Sequence, residues 1–348
     1  MRKSIFAALL AALALTVGAA ASRAETMDQL YPKAEAEGAL VFYSGGPVAP
    51  YERWAKEFMQ RFPGITVSVE GGFSNVLDSK INDQLKAGKL AVDMALLQTV
   101  QDYVGWKKEG ALIRFRPDGA DKIDPRFRDK DEMFWPTSVV LLSYAYNTKL
   151  VAPGDVPKSA LDFLKPQFKG KIVSAYPADD DATLFVFNDI VKKYGWGYMT
   201  KYMANKPNFI QGHLDELKSV ADGTNAVTFD STNSTTGALK AAGQPIDFAF
   251  PSKDTMPTFF ITAGIFKQAP HPNAAKLFLT WYLAQEQQSR TGSYSARTDV
   301  PPPAGLKPLS AYKIDAGYRQ LVTDKNIAAL RKRFESYTGP VVNKGGVR

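Results

Sequence analysis

Short apolar strands alternate with amphipathic helices along the first third of the chain, and this alternation strongly limits the possible folds. Apolar runs at residues 40–43, 65–69 and 92–97 are each followed by a loop and then by apolar residues at helical spacing. A second set of such units begins with the apolar runs at residues 139–146 and 172–175. Strand–loop–helix units build parallel sheets with helices on both faces. The pattern therefore predicts the α/β class.

The chain has no cysteine among its 348 residues, so its stability must come from burial rather than from disulfide bonds. A chain of this length is expected to divide into two domains. It lacks G-x-S-x-G, H-E-x-x-H and Walker-type glycine motifs. Of the two histidines, His271 belongs to a helix start and is expected to be structural, while His213 has no recognisable partner pattern. We predict a protein that is not an enzyme; a catalytic site assembled in space and a scaffold without a cleft are the alternatives.

The N-terminal segment has the pattern of a secretory signal peptide. Arg2 and Lys3 precede an uncharged, Ala- and Leu-rich run at residues 5–21, and a Ser-Arg-Ala triplet ends at Ala24, where a signal peptidase reads small residues. The run is shorter than the roughly 20 apolar residues that span a bilayer. We predict that residues 1–24 are removed and that the protein is periplasmic.

The charge balance is mildly basic and is spread along the chain. Removal of residues 1–24 takes away three basic residues and no acids, so the formal net charge falls from +8 to +5. No basic run with interleaved aromatic residues is present, which makes nucleic acid a poor candidate partner. Because a net positive charge steers anions toward a protein, the balance indicates a weak preference for an anionic small molecule.

Three motifs follow one another along the chain. They are YNTKLV at residues 146–151, LDFLKPQFKGKIV at residues 161–173, and PIDFAFPSKDTMPTFFITAGIFKQAPHPNAAKLFLTWYLAQ at residues 245–285. Their order and spacing resemble the extracellular solute-binding proteins of bacterial ABC importers, in particular the family 1 group that includes ferric-iron and 2-aminoethylphosphonate binders. The resemblance runs from the first strand to about residue 303.

This resemblance implies two doubly wound lobes joined by two crossings, the type II periplasmic binding protein fold, with the crossings near residues 135–141 and 248–253. The implied division is residues 25–137 and 252–303 in lobe one, residues 138–251 and 304–340 in lobe two, and a tail at residues 341–348. The implied function is that of a monomeric periplasmic protein without a cofactor. It would capture a small-molecule ligand and deliver it to an inner-membrane ABC permease.

Ligands of open α/β sheets bind beyond the carboxyl ends of the strands, where helix N-termini present unpaired N–H groups. The candidate ligand residues of lobe one follow a strand or lie at the first crossing: Tyr43, Ser44, Gly45, Phe73, Ser74, Gln98, Trp135 and Thr137. Those of lobe two lie in the corresponding loops: Ala182, Thr183, Ser231, Thr232 and Asn233. A chain turn at Gly45, helix caps at Ser74 and in the Thr- and Ser-rich loop, and a core position for Trp135 are the structural alternatives.

Arg297 lies in a segment that the family places near the cleft, where a guanidinium can hold a carboxylate or phosphonate with two hydrogen bonds; a salt bridge is the alternative. The three acids at residues 179–181 are expected to cap a helix rather than to bind a metal. In ferric-iron members two adjacent tyrosines bind the metal, and the matching positions here are Asn233 and Ser234. We therefore predict a small organic anion, such as a carboxylate or phosphonate, and no metal; ferric iron is the alternative.

Overall fold

The computed structural model describes residues 24–342. All of the predicted signal peptide except Ala24, and the last six residues of the predicted tail, lie outside the described residues. The helices of the described part are α1 (Met27–Glu37), α2 (Ala49–Arg61), α3 (Ser74–Lys86), α4 (Val100–Lys108), α5 (Asp181–Tyr194), α6 (Gly197–Ala204), α7 (His213–Ala221), α8 (Asn233–Ala241), α9 (Pro272–Tyr282), α10 (Gln285–Gln288), α11 (Tyr318–Val322) and α12 (Ile327–Thr338). The strands are β1 (Ala39–Gly45), β2 (Thr66–Gly72), β3 (Met94–Leu97), β4 (Phe134–Asn147), β5 (Val173–Ala175), β6 (Asn208–Ile210), β7 (Val227–Thr232), β8 (Ile246–Ala249), β9 (Met256–Ile265) and β10 (Ile314–Asp315).

One continuous sheet has the strand order β2-β1-β3-β9-β4-β7, with β10 paired to β9 and β8 paired to β4. The strands β1, β2 and β3 are parallel, whereas β9 runs antiparallel to both β3 and β4. The parallel pair β5 and β6 forms a separate small sheet beside β7, which it meets through the bridge between Ile172 and Val227. The structure therefore has two α/β lobes, one around β1 to β3 and one around β5 to β7.

The long strand β4 joins the two lobes. From Phe134 to Leu141 it pairs with β9, and from Leu142 onward it pairs with β7 and β8. The change of partners falls at the end of the first predicted crossing. The chain returns between Ala249, where β8 ends, and Met256, where β9 begins, in the region of the second predicted crossing.

Each lobe is held by a cluster of buried aromatic rings. In the first lobe the ring of Phe278 from α9 lies 4.9 Å from Phe42 of β1 and 5.2 Å from Phe58 of α2. In the second lobe Phe187 of α5 lies 4.9 Å from Phe229 of β7. Full burial of such a side chain contributes roughly 1.5–3 kcal/mol. These contacts fix α2 and α9 on the first lobe and α5 on the second.

The C-terminal segment contacts both lobes. Helix α11 packs against α4 and β9 and also against α5, and α12 packs against α6. The hydroxyl of Tyr318 donates to the backbone oxygen of Gln98 over 3.1 Å. Arg331 of α12 donates to the backbone oxygen of Ala178 over 3.0 Å. The segment assigned from the sequence to lobe two thus also braces lobe one.

Several helix predictions are confirmed, and two helix starts differ. The sequence predicts a polar helix at residues 27–37 and a further helix at residues 100–108, and both have those bounds. Ser74, expected as a cap, is the first residue of α3, and Phe73 occupies the cap position. Helix α8 begins at Asn233, because Thr232 accepts a hydrogen bond from the backbone of the helix's first turn. Within residues 24–342 no helix has the length and apolar character needed to cross a membrane.

Candidate ligand-binding cleft

The strand order places a topological switch point in the first lobe. The chain passes from β1 outward to β2 and then returns to the other side of β1 to form β3. Loops that leave neighbouring strands in opposite directions open a crevice at the carboxyl ends of those strands. Here the crevice lies between Gly45, the last residue of β1, and Leu97, the last residue of β3.

Gly45 allows the loops around this crevice to approach closely. A β-carbon at Gly45 would lie 2.4 Å from Oγ of Ser74, a distance that no real contact permits. The same Ser74 oxygen lies 3.4 Å from the backbone nitrogen of Gln98, which donates to it. The first residue of α3 and the loop that precedes α4 therefore meet at the end of β1.

The second lobe faces this crevice, and side chains of the two lobes touch. The amide nitrogen of Gln98 donates to Oδ2 of Asp180 over 3.1 Å, and that of Gln101 donates to Oδ2 of Asp181 over 2.7 Å. A β-carbon at Gly212 would lie 2.9 Å from Cε1 of Phe73, so this ring lies against the glycine backbone. We call the boundary formed by these contacts the cleft.

Helix starts line the second lobe's side of the cleft. Asp180 caps α5 by accepting the backbone N–H of Thr183 over 2.9 Å, as expected for this group of acids. Thr232 caps α8, and Gly212 precedes α7 with a φ of 84°, which favours glycine. These N-termini direct positive dipole ends toward the cleft.

His213 connects this lining to the interior of the second lobe. Its Nε2 lies 3.2 Å from Oδ1 of Asp180, and its Nδ1 lies 3.2 Å from Oε2 of Glu216. A carboxyl oxygen faces each ring nitrogen, and an imidazolium can donate to both. Burial would lower the pKa of His213, but the charge of Asp180 and these hydrogen bonds outweigh burial and hold the pKa well above its ordinary value. Burial likewise opposes ionisation of Asp180, yet the charge of His213 keeps the pKa of that carboxyl below its usual range.

Two buried carboxyls share a proton next to this histidine. The hydroxyl of Thr228 contacts both Oε1 of Glu216 and Oδ1 of Asp230, the latter over 2.7 Å. A hydroxyl carries one proton, so the second contact requires a proton from a carboxyl. Burial, and then the charge of Asp230, raise the pKa of Glu216 well above its ordinary value. Asp230 also accepts hydrogen bonds from the hydroxyls of Ser174 and Thr183. Glu216 is therefore the protonated member of the pair.

The same cluster is the one place among residues 24–342 where three His, Asp or Glu side chains bring ligand atoms within 4.8 Å of one another: His213, Glu216 and Asp230. Imidazole and carboxylate suit several transition metals by donor type. However, an imidazolium offers no lone pair, and the carboxyl oxygens already hold hydrogen bonds to Thr228 and His213. The cluster can therefore hold protons, and a metal ion could bind only if His213 and Glu216 lost theirs.

The structure brings most of the predicted ligand residues of lobe one to the cleft. Ser44, Gly45, Phe73, Ser74 and Gln98 lie at the crevice, and the buried hydroxyl of Ser44 has no hydrogen-bond partner within the described chain. The hydroxyl of Tyr43, also from lobe one, accepts a hydrogen bond from the side chain of Gln84 in α3.

The two candidates at the first crossing are engaged within the sheet and the core. Trp135 is 1% exposed and donates from Nε1 to the backbone oxygen of Phe115 over 2.8 Å, so its ring is core and has no free face for a ligand. Thr137 is buried, and its hydroxyl donates to the backbone oxygen of Ile261 over 3.2 Å. Both residues support the sheet below the cleft.

The candidates of lobe two lie at its helix starts, but their side chains are largely occupied. The hydroxyl of Ser231 donates to the backbone oxygen of Ser143 over 2.8 Å, and that of Thr183 donates to Asp230 over 2.9 Å. Thr232 serves as a cap, and Ala182 and Asn233 are buried. What this wall offers a ligand is mainly the N–H groups of the helix starts.

Arg297 is not free to act as the counter-charge for a ligand that the sequence predicts. Its guanidinium binds both oxygens of Asp299, over 2.8 and 2.7 Å, and also donates to the backbone oxygens of Leu283 and Gly119 over 3.1 and 3.4 Å. The side chain is 7% exposed. The salt-bridge alternative is therefore the one the structure shows.

Sequence reasoning missed Gln101, Asp102, Glu216 and Asp230 and left His213 without a role. Gln101 and Asp102 lie in the first turn of α4, which begins at the carboxyl end of β3 and so touches the cleft. Their place three and four residues beyond the candidate Gln98 was the available signal. Glu216 follows His213 by three residues on α7, which was a local signal, whereas Asp180, the cap of α5, is 33 residues away and no local pattern links it to His213.

Comparison with known proteins identifies the family. The sequence profile of the bacterial extracellular solute-binding proteins matches residues 53–317. The chain belongs to this family. A probable ABC transporter periplasmic-binding protein of Sinorhizobium fredii is 24% identical over an alignment of 245 residues that covers 66% of this chain and 63% of that relative. The chain therefore matches less than two thirds of the relative's length.

Solved structures of solute-binding proteins share the fold. Iron-bound HitA from Pseudomonas aeruginosa superposes with a TM-score of 0.71 at 18% identity, covering 87% of this chain and 99% of that one. AfuA from Actinobacillus pleuropneumoniae, with fructose-6-phosphate bound, has a TM-score of 0.71 at 19% identity, covering 86% and 98%. An ABC transporter substrate-binding protein from Agrobacterium tumefaciens has a TM-score of 0.74 at 15% identity, covering 86% and 94%. These likenesses confirm the two-lobe α/β fold of solute-binding proteins.

Proposed function

We propose that this protein is the periplasmic substrate-binding component of an ABC importer. It captures one small solute in the cleft and delivers it to a permease of the inner membrane. The observation that carries the proposal is the contact between Gln98 and Asp180, which joins loops at the carboxyl ends of strands in both lobes. Lobes that touch at such loops can open and close around a solute. Family membership and the probable function of the Sinorhizobium relative support the same role.

The solute would contact the helix starts on both sides of the cleft. Ser44 supplies a buried hydroxyl that lacks a partner among the described residues, and Gly45 lets the backbone approach closely. Phe73 supplies a ring at the lobe boundary. From lobe two the solute would meet the N-termini of α5 and α8. The protein acts as a monomer without catalysis, with lobes divided as the sequence predicts.

An anionic solute was the hypothesis from the sequence. The helix N-termini at the cleft still favour an anionic group on the solute. The structure removes the counter-charge that the hypothesis assigned to Arg297, because this side chain is engaged by Asp299. The anionic end, a carboxylate or phosphonate, would therefore be held by N–H groups and the Ser44 hydroxyl.

The test is recovery of the solute. Protein exported to the periplasm and purified without dialysis is denatured, and mass spectrometry identifies small molecules released in an equimolar amount. The recovered compound is then added to refolded, ligand-free protein. A solute at 100 times its dissociation constant should stabilise the fold by roughly 2.7 kcal/mol. Recovery of a chemically altered product after incubation would instead show an enzyme.

A further inference from the structure

An unpaired carboxyl lies in the cleft at the start of α4. Oδ2 of Asp102 is buried and has no hydrogen-bond partner among the described residues. Asp78 of α3 and Asp181 of α5 both act on it electrostatically, one from each lobe. The hydroxyl of Thr99, which is 5% exposed, lies beside the same carboxyl and lowers its pKa, but it makes no hydrogen bond of ordinary length within the described chain. This point of the cleft therefore gathers carboxyls from both lobes and has unused hydrogen-bonding capacity.

Two amide oxygens at the lobe boundary also lack donors. The amide nitrogen of Gln101 donates to Asp181, and that of Gln211 donates to Asp179 over 3.0 Å. Because a carboxylate can only accept from these nitrogens, the opposite ends of both amides must be oxygens. Oε1 of Gln101 and Oε1 of Gln211 are buried without partners in the described chain. An acceptor left unpaired in a buried place is unfavourable, so a donor is expected there when the site is occupied.

The basic side chains near the cleft cannot supply that donor. Arg331 binds Asp181 and the backbone oxygen of Ala178. His213 is held between Asp180 and Glu216. Among residues 24–342 no lysine, arginine or histidine forms an ion pair with Asp102.

We infer that the solute carries a cationic nitrogen with N–H groups, an ammonium or guanidinium, and that this group lies between the lobes and donates to Asp102 and Gln101. The inference rests on the proposed function and names the chemical class of its solute. A metal ion fits less well: within the described chain, Asp78, Asp102 and Asp181 do not bring their oxygens within 4.8 Å of one another. Together with the helix N-termini, which favour an anionic group, the cleft suits a solute with opposite charges at its two ends.

Binding of such a group changes the protonation of Asp102. Burial, followed by the charges of Asp78 and Asp181, raises the pKa of this carboxyl to about 8. The groups around it are Asp78 of α3, Tyr103 of α4, Asp181 of α5, Tyr318 of α11 and Arg331 of α12, which pairs with Asp181. At pH 7 about nine tenths of the ligand-free protein therefore carries a proton on Asp102. A cationic nitrogen favours the ionised carboxylate, so its binding should release about one proton.

The experiment uses ligand-free mature protein and probes in matched pairs that differ in the amine: putrescine against 1,4-butanediol, and γ-aminobutyrate against butyrate. Choline is added because a quaternary ammonium has charge without N–H donors. Thermal shift ranks the probes, and calorimetry in buffers of different ionisation enthalpy counts protons. Asp102→Asn is compared with Asp83→Asn, the same substitution at an exposed position of α3.

We expect at least one amine probe to bind ten-fold or more tightly than its matched partner and than choline, with about one proton released at pH 7. Asp102→Asn should weaken that binding ten- to a hundred-fold and abolish the proton release, while Asp83→Asn changes neither. If Asp102→Asn does not fold, the proton count on the unaltered protein still tests the inference.

Binding of butyrate, butanediol or choline as tightly as the amines would overturn the inference and leave solute capture standing. If neither putrescine nor γ-aminobutyrate binds, the inference is also overturned. If, in addition, no small molecule is recovered from the native protein, the proposed function fails as well.

Discussion

Replacement of Arg297 by alanine separates a structural role from a ligand-binding role. The guanidinium makes two hydrogen bonds to Asp299 and two to backbone oxygens, with 7% of the side chain exposed. Breaking a buried ion pair by removing one partner costs about 3–5 kcal/mol. Because 30% of the Asp299 side chain is exposed, its carboxylate can regain water, and we expect the lower end of that range. Arg297→Ala should lower the free energy of unfolding by about 3 kcal/mol.

Denaturation by guanidinium chloride measures this loss, and calorimetry with the recovered solute measures affinity. Arg297→Lys is the matched control: it keeps the charge but cannot make the paired hydrogen bonds, so its loss should be intermediate. The hydrogen bond from Arg297 is the main cause of the lowered pKa of Asp299. The stabilisation by this pair is present above the unfolded pKa of the carboxyl and is lost as pH falls through the folded value, so the difference between variant and parent should shrink in acid. A change below about 0.5 kcal/mol combined with a ten-fold loss of affinity would refute the structural role and restore the ligand-binding one.

Four further predictions follow from particular contacts. Gly45→Ala should destabilise the protein by about 1–3 kcal/mol, since the new methyl group collides with Ser74, and Ser74→Gly in the same chain should recover most of the loss in urea denaturation. His213→Asn should remove stability that is present below the ordinary pKa of histidine and lost as pH rises through its raised folded pKa, so melting temperatures of the two proteins should converge in alkaline buffer. Edman sequencing of exported protein should begin at Glu25, and a retained Met1 would contradict the predicted cleavage. Ferric citrate should give no strong visible charge-transfer band, because the matching positions lack the paired tyrosines; an intense band at equimolar iron would show that the prediction is wrong.

Local sequence determined the elements and hence the class of fold. Helix α1 could be placed to the residue because Thr26 forms a capping box with Gln29 and Gly38 ends the helix in a left-handed conformation. Apolar spacing similarly located β1 to β3 and the helices after them, and the order of motifs indicated two lobes. The sequence places the helix after β7 at residues 237–242, whereas α8 begins at Asn233, because the polar run around Thr232 has no apolar period to mark the helix start. Caps and periodicity act over a few residues, so a single sequence displays them.

The cleft loops could also be located from the sequence, because they follow strands and precede helices. Only the tertiary structure decided which polar atoms in those loops are left without a hydrogen-bond partner. Asp180 meets Gln98 across 82 residues, and it meets His213 across 33 residues. Arg297, by contrast, finds its partner Asp299 two residues away. Whether a charged group binds a neighbour or remains for a solute depends on which groups are removed from water together, and only the packing of distant segments settles that.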